Sequence, residues 1–138
     1  MSLDNFLPQN QAWQKNIRLE VYPQVIVKYK KQYPKAIFEV IMRFPPQYLE
    51  CSPHILSPSI GLFKQARAGQ ISWDQYSLAF EKEMFGSHQC IQELFRLKAI
   101  AQNNLLFLIC SEKNPAHCHR SLIKHYLLHL EEFCAKYQ

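Results

Sequence analysis

The chain is predicted to fold as an α/β domain, a small three-layer sandwich with a largely parallel sheet flanked by helices. Two short, largely apolar runs, residues 36–42 (AIFEVIM) and 105–110 (LLFLIC), have strand length, and the second, apolar throughout, has the side chains of a strand covered on both faces. They are interleaved with stretches whose apolar residues recur at helical spacing, such as Trp73, Tyr76, Phe80 and Met84. With 138 residues, 48% apolar and 20% charged, the chain has enough material for one soluble domain and too much hydrophobicity for a disordered tail.

Residues 1–16 are polar and rich in Asn and Gln, with Phe6, Leu7 and Trp13 as anchors, and are expected to form a loosely packed arm ahead of a single domain over 17–138. Ile17, Leu19 and Val21 alternate with polar or amphipathic residues as in a half-buried strand, which Pro23 stops. Val25, Ile26, Tyr29 and Tyr33 then mark a helix with lysines on its other faces. Pro34 and the Pro45-Pro46 pair bound the first apolar run, and Arg43 sits at its carboxyl end. Residues 45–58 carry four prolines and read as an extended loop.

Ser57 followed by Pro58 predicts a helix start, and Gly69 its close. Ser72 and Gln75 have the spacing of a capping box for the Trp73 helix, which Gly86 ends. A further helix over 87–102 leads to Asn103-Asn104 and the second apolar run. The last helix buries Leu122, Ile123, Tyr126, Leu127, Leu130 and Phe133. In such sheets ligands gather at the carboxyl ends of the strands, beside amide-rich helix starts, so the loops after Met42 and Ile109 are the places to look.

Several function classes are excluded by what is missing. The three glycines form neither a dinucleotide-binding turn nor a phosphate loop, so no cofactor is expected. No apolar run is long enough to span a bilayer and the N-terminus lacks a signal-peptide layout, so a cytoplasmic location and no membrane partner are expected. Five scattered cysteines, an odd number, argue for reduced thiols rather than a disulfide framework. Lys and Arg exceed Asp and Glu by 16 − 11 = 5, which favours an anionic small molecule or nucleic acid as partner.

The chemistry is concentrated after the second strand. Residues 110–121 hold Cys110, Glu112, His117, Cys118, His119, Arg120 and Ser121. A thiol at a helix start beside His and Arg has its thiolate stabilised, which makes Cys118 the better nucleophile; Cys110, ending a strand, reads as an inert small residue or a resolving partner. Arg120 has the fork to grip an anion, or alternatively to brace Glu112. The gap between Cys110 and Cys118 matches neither a tight zinc clip nor a C-x-x-C dithiol, and neither cysteine has the arginine spacing of a thiol phosphatase, so no metal is expected.

The run C-x-E-x-x-x-x-x-C-H-R-S, here Cys110, Glu112, Cys118, His119, Arg120 and Ser121, resembles the signature of the domain of unknown function 488 family. Arg43 followed by Pro45-Pro46, the Leu56-Ser57-Pro58-Ser59 helix start and the stretch from Gly69 to Met84 resemble its variant with Arg-x-Pro-Pro, and together the matches cover about residues 36–130. The resemblance implies a compact α/β domain whose strand-end arginine and C…E…CHR loop cluster at one end of the sheet. It implies no reaction. The glycine- and histidine-containing strand that opens many members is not found here.

The expected site therefore comprises Cys118, Cys110, Glu112 and His119 as catalytic groups and Arg43, Arg120 and Ser121 as anion-binding groups. A non-catalytic nucleic-acid module using the same arginines with Lys28, Lys30, Lys31 and Lys124 is the alternative; Lys28, Lys30, Lys31 and Lys35 also read simply as a solvated helix face.

Overall fold

The structure, a computed structural model, describes residues 9–138. A 3-10 segment, Gln9–Asn16, leads into β1 (Ile17–Arg18), α1 (Ile26–Gln32) and β2 (Ile37–Val40). After the proline-rich loop come α2 (Ile60–Arg67), α3 (Trp73–Phe85), α4 (His88–Asn103), β3 (Leu106–Ile109), α5 (His119–Leu128) and α6 (Leu130–Lys136). The sheet has the order β1-β3-β2 and both pairings are parallel, with Ile37 opposite Leu106 and Val40 opposite Ile109.

All four residues of β3 are fully buried, as the solid apolar run requires of a central strand. Because side chains alternate along a strand, Leu106 and Leu108 enter the core with Leu94, Leu97, Phe80 and Tyr126 from α3–α5. Phe107 and Ile109 point the other way and pack with Val21, Ile26, Tyr29 and Tyr33 around α1. These two cores make the three layers.

Local chemistry sets most boundaries where the sequence places them. Ser72 Oγ accepts from the Gln75 amide at 3.1 Å while Gln75 Oε1 accepts from the Ser72 amide at 2.8 Å, the reciprocal capping box that starts α3. Ser87 caps α4 by accepting from the Cys90 amide. Gly69, at φ +68°, closes α2 in the left-handed region that glycine favours.

Three expectations differ in detail. The cap of α2 is Ser59, whose Oγ accepts from the Leu62 amide, because Ser57 instead donates its hydroxyl to the His54 carbonyl in the preceding turn. The last helix is interrupted at His129 (φ −127°, ψ 33°) with neither Gly nor Pro to mark it. β1 is two residues long rather than running to Val21. In the arm, Trp13 is buried and Asn16 donates to the Ala101 carbonyl at 2.7 Å, whereas Phe6 and Leu7 lie outside the described residues.

The early end of β1 has a physical cause on α5. Lys124 Nζ donates to the Ile17 carbonyl at 3.0 Å, and Arg120 Nη1 to the carbonyls of Leu19 and Val21 at 2.6 and 3.0 Å. Residues four apart share a helix face, so two cations of α5 take the alternate carbonyls of this edge segment in place of a neighbouring strand.

Candidate active site

β2 and β3 end side by side, and the chain leaves them through Met42-Arg43 and Cys110-Ser111. A cavity of about 740 Å³ opens here, inside the roughly 300–1,000 Å³ range of small-molecule sites. Its floor carries Cys110, Cys118 and His119; Arg43, Phe44 and Glu112 stand around it, and α2 and α3 contribute Phe63, Arg67, Trp73 and Tyr76.

The floor is built from the end of β3 and the start of α5. Cys110 is the residue after β3, and Cys118 is the N-cap of α5, placed by the Pro115–His117 turn that Asn114 caps through the Ala116 amide. Both thiols are buried. His119, the first residue of α5, lies with Nδ1 3.9 Å from Cys110 Sγ and 3.8 Å from Cys118 Sγ, and with Nε2 2.5 Å from the Ile41 carbonyl. Only a protonated nitrogen meets a carbonyl at that distance, so Nε2 carries the hydrogen and the Nδ1 lone pair faces the sulfurs.

The two sulfurs are shifted in opposite directions. A hydrogen bond from the Cys110 thiol holds Cys118 well below the usual thiol range against the opposing effect of burial, and His119 lowers it further. Cys110 is pushed the other way by its hydrogen bond to Cys118 and by burial. Arg120 Nε also donates to Cys118 Sγ, at 3.4 Å.

The structure places Arg120 inside the fold. Its guanidinium is fully buried, donating to the carbonyls of Leu19, Val21 and Glu112 as well as to Cys118 Sγ. Four of its five N–H groups are committed to internal acceptors, so Arg120 braces the fold and partners Cys118. The brace runs through the Glu112 carbonyl rather than its carboxylate, which lies exposed at the cavity. Ser121 is likewise taken, its hydroxyl donating to the Cys118 carbonyl at 2.8 Å. Lys124 is held at β1, and burial lowers its pKa. Arg43, half-buried on the cavity wall, makes no hydrogen bond or ion pair among the described residues.

Some site residues were not singled out in the sequence. Trp73 reads there as core, but it stacks on His117 with ring centroids 4.9 Å apart and an interplanar angle of 17°, forming a flat wall of the cavity. Arg67, at the end of α2, brings a second guanidinium, 5.4 Å from the Phe63 ring centroid. Its only signal is its place just before the Ala68-Gly69 turn.

Two groups of ligand-type side chains occur among the described residues, each with its ligand atoms within 4.8 Å of one another: Cys110, Cys118 and His119, and Glu39, His54 and Glu93. In the second, His54 Nε2 lies 3.3 Å from Glu39 and 3.2 Å from Glu93, and Arg96 bridges both carboxylates.

A parallel α/β sandwich with a thiol pair, an imidazole and an arginine at the carboxyl ends of its strands is what fold and site together define. No described helix is long and apolar enough to cross a membrane. Residues 25–131 match the family model DUF488-N3a, described as the Active DUF488-N3 subclade, and the chain belongs to this family. No curated protein and no solved structure matches it.

Proposed function

We propose that the protein is a thiol-dependent enzyme acting on an anionic substrate of nucleotide size, with Cys118 as nucleophile. The observation that carries this reading is the setting of Cys118 Sγ. Three partners meet it: the Cys110 thiol, the acceptor nitrogen of His119 at 3.8 Å and the Nε–H of Arg120 at 3.4 Å, all at the floor of a substrate-sized cavity. His119 Nδ1 is placed to take the proton that Cys118 gives up, with the ring held through Nε2–H by the Ile41 carbonyl. Arg43, with Arg67 beyond it, supplies the positive potential for the anion, and the Trp73-His117 wall suits a planar group. Glu112, exposed at the cavity, exchanges protons with solvent.

The direct test is alkylation of the purified chain by iodoacetamide, followed site by site by mass spectrometry across neutral pH. Cys118 is expected to react faster than glutathione and to keep its rate as the pH falls, and Cys110 to react slowly. A rate at Cys118 no higher than that of glutathione removes the nucleophile from the proposal. Binding of inorganic phosphate and nucleoside monophosphates, read by calorimetry with and without Arg43→Ala, tests the anion half.

The nucleic-acid alternative has lost two of its contacts, since Arg120 and Lys124 are spent inside the fold. What favours it is the exposed row Lys28, Lys30, Lys31 and Lys35, none of which forms an ion pair among the described residues. It requires binding to RNA or DNA at low salt that weakens steeply as salt is added.

A further inference from the structure

The floor of the cavity also has the form of a metal site, and four observations point the same way. Cys110 Sγ, Cys118 Sγ and His119 Nδ1 lie within 4.8 Å of one another, with the sulfurs at 3.9 and 3.8 Å from the nitrogen. Around a tetrahedral zinc ion, with bonds of about 2.3 Å to sulfur and 2.0–2.1 Å to nitrogen, such ligands stand about 3.6 Å apart, so closing on an ion takes a few tenths of an ångström. His119 is presented as a ligand must be, its Nε2–H donated to the Ile41 carbonyl and its Nδ1 lone pair turned to the sulfurs, the outer-shell arrangement that fixes most metal-bound histidines. Arg120 Nε–H gives Cys118 Sγ the outer donor that suits a bound thiolate. Finally, all three ligands line the cavity, so the side away from the protein is open.

Glu39, His54 and Glu93 satisfy the same distance limit and fail these other criteria. The Leu56 amide donates to His54 Nδ1 at 3.1 Å, so the ring's hydrogen sits on Nε2 where an ion would have to bind, and Arg96 already neutralises both carboxylates.

We propose that Cys110, Cys118 and His119 bind one zinc ion whose fourth coordination position faces the cavity, the pattern of catalytic rather than closed structural sites. As the ion enters, two protons leave to solvent, that of the Cys110 thiol and that of Cys118, whether it sits on the sulfur or on His119 Nδ1, and the two sulfurs and Nδ1 bond to the ion. The seven residues between the cysteines in sequence hide the site, because one ligand comes from a strand end and two from a helix start. The zinc assignment rests on the ligand geometry and not on the nucleophile reading. That reading describes the metal-free protein, and a bound ion caps both sulfurs.

The test uses the 138-residue chain, stripped with chelator under reducing conditions, then titrated with cobalt(II) as a spectroscopic substitute and afterwards with zinc. Saturation at one ion per chain is expected, with a sulfur-to-cobalt charge-transfer band and the strong visible bands of a tetrahedral complex, all erased by one equivalent of zinc. Cys110→Ser and Cys118→Ser, checked for native circular dichroism, should each bind more weakly by at least about 100-fold, since losing an outer-shell partner alone costs roughly 10- to 100-fold. No stoichiometric uptake by the wild type, a weakly absorbing cobalt spectrum without sulfur charge transfer, or a folded serine variant that binds like the wild type overturns the site. If a variant does not fold, the wild-type spectrum decides alone. Alkylation of the stripped protein separates the two readings: rapid reaction at Cys118 without metal uptake leaves the nucleophile and removes the zinc, and the reverse pattern does the opposite.

Discussion

Arg43 and Arg120 carry the same charge in opposite surroundings, and burial and partners decide what a guanidinium can do. Arg120 holds β1, the Glu112 turn and Cys118 together from a position with no solvent exposure. Arg120→Ala leaves buried carbonyls unpaired and is expected to cost at least about 3 kcal/mol in urea unfolding; Arg120→Lys should recover little, since one ammonium cannot reach all these acceptors. Arg43 has no such network. Arg43→Ala is therefore expected to change stability by less than about 0.5 kcal/mol while weakening phosphate or nucleotide binding about tenfold, by thermal shift and calorimetry respectively. Equal affinity in the variant and the wild type would separate Arg43 from the anion.

Among the elements, β3 and α3 position the site. β3 is central in the sheet and ends in Cys110, so any loosening of the strand moves a thiol of the site. Leu108→Ala opens a cavity in a strand with no exposed residue and is expected to cost about 2–5 kcal/mol. α3 sets the aromatic wall, and its start is fixed by the capping box just before Trp73. Ser72→Ala should cost about 1 kcal/mol, measured by chemical unfolding, and the loss should be smaller in Ser72→Asp, which restores an acceptor at the cap. The Arg120 and Lys124 ladder explains why β1 needs no further strand beside it: its carbonyls are already satisfied from α5.

For the whole molecule, the network of Glu39, His54, Glu93 and Arg96 joins β2, the proline-rich loop and α4, and it makes stability depend on pH. Glu39 is held below its ordinary 4.5, first by the hydrogen bond from His54 and then by Arg96, against the effect of burial. Its folded pKa is depressed, so its contribution is complete above 4.5 and disappears as the pH falls through the lower folded value. Glu81 acts in the same direction: burial raises it, but hydrogen bonds from Lys136 and Tyr137 outweigh burial and lower it. Urea midpoints are thus expected to fall as the pH drops below 4.5, less steeply in Glu39→Gln, and an unchanged slope in that variant would rule out Glu39 as a source.

Local order is what the sequence determined. The apolar run of residues 105–110 names the central strand by itself, because only a strand covered on both faces can be apolar at every position. Ser72 and Gln75 set the start of α3, since both halves of a capping box lie within one turn. The crowding of thiols, imidazoles and a guanidinium into residues 110–121 likewise pointed to the loop after β3, which lines the cavity. Tertiary structure decided the roles. Arg120 meets carbonyls at Leu19 and Val21, and His119 meets the carbonyl of Ile41, partners that no local spacing reveals. Trp73 has helical spacing like any core residue, and only its stacking on His117 shows it to be a cavity wall. Propensities and caps act over a few residues, whereas the commitment of a buried charge depends on which distant backbone groups the packing brings against it.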